Sequence, residues 1–174
     1  MAVAELGRYV FTITKAIIFL ILLIPSLVLG GEIPKADLVL VKKRERKMYL
    51  MKNRKPFRVY TVALGANPIG HKQRQGDERT PEGKYILDYK RSDSAFYKAI
   101  HISYPNKQDK IRAKRAGVNS GGFIMIHGQK NGLGWLSFIT QLFNWTDGCI
   151  AVKNNEMDEI WESVEVGTPI VIKP

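Results

Sequence analysis

The chain has 174 residues, and its 27 Lys and Arg against 16 Asp and Glu give a formal net charge of +11. This length fits one globular domain, and 45% hydrophobic with 25% charged residues is typical of a folded protein. This composition excludes disorder and collagen. A single cysteine can form neither an intrachain disulfide nor a multi-thiolate metal site, so a disulfide framework is excluded as well. The positive excess favours an anionic partner without identifying it.

The first 30 residues have the pattern of an export signal. Two cations, Arg8 and Lys15, precede an almost uninterrupted apolar run over residues 16–29. The run is shorter than the roughly 20 residues that span a bilayer, and small residues follow it, as in a secretory signal. Residues 9–13 would lengthen it, so we interpret 1–30 as a signal peptide or an N-terminal membrane anchor. Both predict export, to the periplasm or the outer face of the cytoplasmic membrane.

The rest of the chain, residues 36–173, has the pattern of one mostly-β domain with two or three small helices (α+β). Alternating apolar residues predict strands, and three- to four-residue apolar spacing or a polar run between breakers predicts helices. In chain order, strands are expected at 37–41, 47–52, 57–64, 85–89, 99–103, 123–126 and 168–172, and helices at 106–116, 136–143 and 155–164. A loop rich in glycine, proline and charge spans 65–83. Asn154 or Asn155 is expected to cap the last helix.

A strongly basic strip, residues 42–58, contains nine Lys or Arg and a single acid, Glu45. Since the charges alternate with apolar residues, the strip is typical of the solvated face of a hairpin. The alternative is a basic surface that faces an anionic polymer of the cell envelope. A nucleic acid is not expected as a partner, because few aromatic residues lie between the cations to stack on bases.

The single cysteine lies in a polar turn that opens onto an apolar stretch, Trp145-Thr146-Asp147-Gly148-Cys149-Ile150-Ala151. Gly148 lets a substrate approach the backbone closely, and the N–H groups of Gly148 and Cys149 are expected to be free as oxyanion donors. A thiol nucleophile needs a base. His127 ends a predicted buried strand just before Gly128, where a side chain emerges at the rim of a sheet. The alternatives are a buried structural cysteine and a core histidine.

Four segments give the chain a resemblance to the L,D-transpeptidase catalytic domain, the YkuD-like family, from about Ala36 to Ile172. They are Gly76-Asp77-Glu78-Arg79-Thr80-Pro81-Glu82-Gly83-Lys84-Tyr85, Ile102-Ser103-Tyr104-Pro105-Asn106, Ile126-His127-Gly128 and Thr146-Asp147-Gly148-Cys149-Ile150. The resemblance implies a single-domain mixed β-sandwich or barrel. It also implies that Cys149 is the nucleophile, that His127 is its base, and that the Gly128 carbonyl orients the imidazole. The N–H groups of Gly148 and Cys149 would hold the oxyanion.

The activity that this resemblance implies is acyl transfer on peptidoglycan stem peptides. A thioester on Cys149 would be attacked by an amine, which gives a cross-link or anchors a protein to the wall. Asp147 stands where the family usually has His, and Ala151 where it usually has Arg or Asn. This version of the motif resembles the YafK-like subgroup, some of whose members resemble hydrolases, so an amidase or carboxypeptidase is the alternative. A non-catalytic wall-binding module is the third interpretation.

Further candidates for contact with the substrate are Asp147, Thr146, Trp145, His71 and Trp135. His71 is otherwise a solvated loop residue, and the two tryptophans are otherwise core residues. Asp77, Arg79 and Thr80 are expected to hold their own loop together. No cofactor is implied, and no metal site is expected, because three scattered histidines and one cysteine have no ligand spacing.

Overall fold

The computed structural model describes residues 33–174, so the export signal predicted for residues 1–30 lies outside the described residues. The described elements are β1 Leu38–Lys42, β2 Lys47–Lys52, β3 Lys55–Thr61, β4 Gly83–Ser94, β5 Tyr97–Ile102, α1 Lys107–Arg115, β6 Met125–His127, α2 Ser137–Thr140, β7 Ile150–Ala151, α3 Asn154–Ser163 and β8 Pro169–Lys173. A 3-10 turn, Gly134–Leu136, precedes α2, so the helix expected at 136–143 consists of two short pieces. The prediction of a mostly-β fold with small helices is confirmed. Within this part of the chain, no helix has the length and apolar character needed to cross a membrane.

The eight strands form one sheet whose two edges meet. Their order is β3-β2-β1-β8-β4-β5-β6-β7. Ala63, just beyond β3, exchanges N–H···O bonds of 2.9 and 2.8 Å with Ala151 of β7. Gly65 and Thr146 form a second bridge between the same two parts of the chain. The sheet therefore curls toward a barrel, and the turn that carries the cysteine is held against the segment that follows β3.

Alternation along the strands places the core on one face of the sheet. Every second residue of β1 and β2 is fully buried, and α3 adds residues three positions apart to the same cluster: Val39, Val41, Met48, Leu50, Met157 and Ile160. This pattern follows from the two-residue period of a strand and the 3.6-residue period of a helix. α1 begins within one residue of its predicted start, and a capping box between Asn106 and Asp109 holds that end of the helix.

The structure departs from the predicted strands most at β4, which extends to Ser94 and not to residue 89, at β7, which was not predicted, and at β3 and β6. β3 ends at Thr61 and not at residue 64, because residues 63–66 pair instead with Ala151 of β7 and with the turn before it. β6 covers 125–127 and not 123–126. Phe123 has a φ of 55°, which lies in the left-handed region and is incompatible with a strand.

The predicted cap of α3 at Asn154 or Asn155 is wrong. Lys153 occupies the N-cap position, and its backbone N–H donates to the Glu156 carboxylate at 3.0 Å. The Asn154 side-chain oxygen instead accepts the backbone N–H of Gln129 at 2.8 Å. A capping asparagine is favoured when its oxygen is free for its own helix. Here that oxygen ties α3 to the chain just beyond β6.

Candidate active site

The turn that carries Cys149 is closed by the Thr146 hydroxyl. Its Oγ1 donates to the Cys149 carbonyl oxygen at 2.7 Å and accepts the Gly148 N–H at 3.2 Å. Gly148 has a φ of 122°, and a Cβ there would lie 2.6 Å from the Arg79 carbonyl oxygen, so only glycine fits. Among residues 33–174 the Cys149 N–H meets no acceptor. The turn thus leaves one of the two expected oxyanion donors free and engages the other.

The Cys149 thiol lies against backbone groups. Its Sγ accepts the Met125 N–H at 3.4 Å and donates to the Phe123 carbonyl oxygen at 3.7 Å. Burial raises the pKa of Cys149 and the Asp147 carboxylate raises it further, against the opposing effects of the Met125 N–H and the Lys72 ammonium. The thiol is therefore protonated at neutral pH and needs a base to become a nucleophile.

His127 is a buried, neutral base held in one tautomer. It lies on β6 between Ala99 of β5 and Ala151 of β7. Its Nδ1 is 2.6 Å from the Gly128 carbonyl oxygen, and because a carbonyl can only accept, Nδ1 carries the hydrogen and Nε2 presents a lone pair. Burial lowers the pKa of His127, although the bond to Gly128 acts in the opposite direction.

His127 and Cys149 line the same cavity, whose volume is about 470 Å³. The Phe96 ring lies 4.7 Å from the His127 ring, and the Trp145 ring lies 5.9 Å from it, centroid to centroid. Arg91 and Asp93 pair with each other across 3.4 Å and also line the cavity. The cavity therefore combines an aromatic wall around the imidazole with one charged pair.

A second cavity, of about 590 Å³, shares two lining residues with the first, Phe123 and Asp147. Phe123 is 77% exposed, and its left-handed φ is rare for an aromatic residue. Strain of this kind persists where the surrounding structure requires it, often at functional sites. Here the strained residue turns its carbonyl toward the Cys149 thiol.

The loop 65–83 is held together from inside by Asp77 and Thr80, as expected, whereas the buried Nε of Arg79 has no hydrogen-bond partner among the described residues. The Asp77 carboxylate accepts from the Lys72 ammonium at 2.8 Å and from three backbone N–H groups at 2.7 to 3.2 Å. The Thr80 hydroxyl accepts the Gly65 N–H at 3.0 Å. Burial acts to raise the pKa of Asp77, but the Lys72 ammonium and the backbone donors outweigh it and lower the pKa to about 2.

Asp77→Asn is expected to lower the unfolding free energy of the chain by about 2 kcal/mol near neutral pH. A carboxylate with a depressed pKa stabilises the fold above its unfolded pKa, 3.8, and loses that contribution as pH falls toward about 2. The difference in unfolding free energy between the wild type and Asp77→Asn should therefore narrow as the pH falls from 3.8 to about 2. Urea unfolding at both ends of the range measures it. Asp93→Asn, at an exposed carboxylate, is the matched control, and a pH-independent difference would contradict the assignment.

The structure places the other predicted site residues away from the two cavities. His71 is largely buried, accepts the Glu82 N–H at 3.0 Å through Nδ1, and has Nε2 3.0 Å from the Asp109 carboxylate. It is therefore neither solvated nor at the lip of the cysteine cavity. Trp135 is 70% exposed and lines neither cavity. Ala151 is fully buried in β7, so this position does not present a side chain to a substrate.

Sequence analysis missed the residues that the hairpin β4–β5 contributes to the cavity. Phe96 and Arg91 are about thirty residues from His127 in sequence, and the pairing of Ala99 with His127 brings the hairpin to the site. No local motif marks them. An aromatic residue near a hairpin tip is the only signal, and it is weak.

Asp147→Asn is expected to make the Cys149 thiol react about two- to fivefold faster with iodoacetamide at neutral pH. The Asp147 carboxylate raises the pKa of the thiol, and each unit by which a pKa falls increases the thiolate fraction about tenfold. The effect is modest because Asp147 is exposed. Asp93→Asn, which removes another carboxylate of the same cavity, should leave the rate unchanged. An equal acceleration in both variants would show that Asp147 has no specific effect.

The chain is similar to proteins of one family. The YkuD model, described as the L,D-transpeptidase catalytic domain, matches residues 36–172. The putative L,D-transpeptidase YafK of Escherichia coli (strain K12) is 35% identical over 107 residues, which are 60% of this chain and 36% of that protein. The putative L,D-transpeptidase YqjB of Bacillus subtilis (strain 168) is 24% identical over 146 residues, 82% of this chain and 74% of that protein. The chain thus spans little more than a third of YafK.

Solved structures show the same fold. The helical cell shape determining protein Pgp2 from Campylobacter jejuni superposes with a TM-score of 0.59 at 25% identity, over 79% of this chain and 48% of that chain. Bd1075 of Bdellovibrio bacteriovorus superposes with a TM-score of 0.53 at 24% identity, over 78% and 46% of the two chains. Since the family model covers most of the chain and the fold is shared, the chain belongs to the L,D-transpeptidase catalytic domain family, and the resemblance seen in the sequence is confirmed.

Proposed function

We propose that this protein transfers an acyl group of a peptidoglycan stem peptide through a thioester on Cys149. One observation carries the proposal. A protonated thiol and a neutral imidazole, held in one tautomer by the Gly128 carbonyl, line the same cavity. A buried pair in these protonation states is suited to general-base activation of the thiol. The family to which the chain belongs supports the choice of substrate.

The first half of the reaction would form the thioester. His127 Nε2 takes the thiol proton as Sγ attacks a peptide carbonyl carbon, and the electron pair of the C=O bond moves onto oxygen. The free Cys149 N–H is the donor available to that oxyanion. The C–N bond then breaks, and the leaving amine takes the proton from the imidazolium.

The second half would transfer the acyl group to an amine. The acceptor nitrogen attacks the thioester carbonyl, His127 takes its proton, and the C–S bond breaks to return the thiolate, which recovers the proton. Two cavities that share Phe123 and Asp147 offer space for a donor and an acceptor. The acceptor would be a stem peptide or a protein to be anchored to the wall.

Hydrolysis of the same thioester is the second candidate, and the position of Asp147 is compatible with it. Its exposed carboxylate lines both cavities at the position next to Gly148. There it can accept a hydrogen bond from a water molecule and direct it toward the thioester. The same carboxylate can equally attract the ammonium form of an acceptor, so the two outcomes have to be measured against each other.

The substrate implies a location. Peptidoglycan lies outside the cytoplasmic membrane, and residues 1–30 carry the sequence pattern of an export signal or anchor. We therefore place residues 36–173, as the catalytic domain, in the periplasm or at the outer face of that membrane. The basic strip would then face the anionic envelope.

A partition experiment tests the proposal. The purified chain is incubated with a stem-peptide donor and rising concentrations of a diamino acceptor, and both products are followed by mass spectrometry. Transfer predicts that the amine adduct replaces the hydrolysed peptide as the acceptor concentration rises. Hydrolysed product that dominates at saturating acceptor would assign the protein as an amidase or carboxypeptidase. Binding of the donor without any product would leave a wall-binding module. Cys149→Ala provides the matched blank.

A further inference from the structure

The segment between β6 and the cysteine turn exposes its apolar side chains. Residues 131–144 contain no charged residue, and six large hydrophobic residues in this segment are between 42% and 73% exposed. We call these six the outward apolar surface: Leu133, Trp135, Phe138, Ile139, Leu142 and Phe143. Single exposed hydrophobic residues are ordinary in a soluble protein, but a contiguous group of this kind marks an interaction site.

The same segment turns its polar side chains toward the protein. Gln141 is 7% exposed, and its Nε2 donates to the Ala151 carbonyl oxygen at 3.2 Å. The Thr140 hydroxyl donates to the Gln129 side-chain oxygen at 2.6 Å. A surface helix normally buries its apolar stripe and exposes its polar residues. In residues 131–144 this orientation is reversed, so the face that points away from the protein is better suited to an apolar environment than to water.

An arginine holds the end of the segment in this orientation. The Arg46 guanidinium donates to the carbonyl oxygens of Gln141 at 2.6 Å and Leu142 at 2.8 Å. These bonds fix the backbone and leave the Leu142 side chain 73% exposed. The outward apolar surface therefore lies on a segment whose backbone is fixed by hydrogen bonds.

Cations without carboxylate partners lie at both ends of the segment. Lys130 immediately precedes it, and at its other end Arg44 and Arg46 line one cavity with Asn144. Among residues 33–174, none of these three cations pairs with an acid. Exposed aromatic and aliphatic residues flanked by Lys and Arg are the composition of a segment that lies in the interface of an anionic bilayer.

We infer that the outward apolar surface docks onto a lipid bilayer with anionic headgroups. The inference is independent of the proposed reaction, which does not use these six residues. Trp135, Phe138 and Leu142 are 64% to 73% exposed, so they stand clear of their neighbours and can enter a fluid medium without a complementary pocket. A second copy of the chain is a poorer occupant, because two molecules of net charge +11 repel each other. Docking would bring the cavity walled by Trp145 close to the membrane surface.

Quenching of tryptophan fluorescence by brominated acyl chains tests the inference on the full chain. A measurement of total vesicle binding would not test it, since the apolar residues 16–29 can themselves contribute to binding. The vesicles contain equal parts of phosphatidylglycerol and phosphatidylcholine. We expect the brominated lipid to quench the emission and Trp135→Phe to remove more than half of the quenched signal. Trp161→Phe, at a partly buried tryptophan packed against the core, is the matched control and should retain the quenched signal.

A second pair of variants locates the contact. Phe138→Ser combined with Leu142→Ser should lower the quenching of Trp135 at least threefold, whereas Val166→Ser, at an exposed apolar residue of another turn, should leave it unchanged. Far-UV circular dichroism confirms that each variant is folded. Quenching unaffected by Trp135→Phe would overturn the inference. So would self-association, measured by sedimentation without vesicles, that the double variant abolishes, because the occupant would then be a second copy.

Discussion

Cys149→Ala is expected to abolish turnover of wall peptides, with a loss of at least about 1,000-fold, while the protein stays folded. Removal of the nucleophile leaves only substrate binding and the oxyanion donor, which cannot form a thioester. The fold should tolerate the change, because the turn is held by the Thr146 hydroxyl and by Gly148 and not by the thiol. We expect a stability loss of about 1 kcal/mol, typical of a mild truncation. Product formation and urea unfolding, measured on one preparation, check both parts.

The matched control for this prediction is Cys149→Ser, which keeps the shape of the side chain and replaces sulfur by a much weaker nucleophile. Its turnover should be close to that of Cys149→Ala. Retained activity in Cys149→Ala would contradict the thioester and require another nucleophile. An unfolded Cys149→Ala protein would instead show that the thiol is mainly a packing element of the turn.

His127→Gln is expected to lower turnover at neutral pH by about 100- to 10,000-fold, the usual contribution of a general base. Glutamine cannot take the proton of a thiol whose pKa is raised by burial. The wild type and His127→Gln should also differ in how their turnover depends on pH. Because burial lowers the pKa of His127 below 6.5, the wild-type rate should fall only on the acid side of that value, where the imidazole becomes protonated. The variant depends on spontaneous thiolate, so its rate should rise about tenfold per pH unit until the thiol ionises.

His71→Gln is the control for the loss of an imidazole. His71 contacts Glu82 and Asp109 outside both cavities, so a folded variant should keep its turnover within about twofold. Rate profiles from pH 5 to pH 9 on the three proteins separate the roles. A His127→Gln profile with the wild-type shape would mean that another group is the base.

Much of the fold could be predicted from the sequence because local patterns control it. In β1 and β2, buried and partly exposed residues alternate, and Arg46 and Asn53 adopt left-handed φ in the turns. These local features produce hairpins whatever the rest of the fold is. The three-residue spacing in α3 buries Met157 and Ile160 for the same kind of reason. Cys149 and His127 could be selected as candidates because each stands beside a glycine in a short motif.

Other properties of the site depend on residues that are distant in sequence. The Gly148 N–H was expected to be an oxyanion donor, but the Thr146 hydroxyl engages it. The position of that hydroxyl follows from the pairing of this turn with the segment beyond β3. Phe96 reaches the imidazole only because β5 pairs with β6. Closure of the sheet, and not any local pattern, decides these contacts.

The sequence by itself determined seven of the eight strands, two of the helices, and the cysteine and histidine on which the proposed chemistry depends. Only the tertiary structure decided which groups surround them and which face of each segment meets water. Residues 131–144 show the physical reason. The sequence predicts a helix at 136–143, but periodicity reports which side chains share a face and not what covers that face. Here Gln141 and Thr140 take the inner positions and bond to the domain, so Trp135 and Leu142 are left outside.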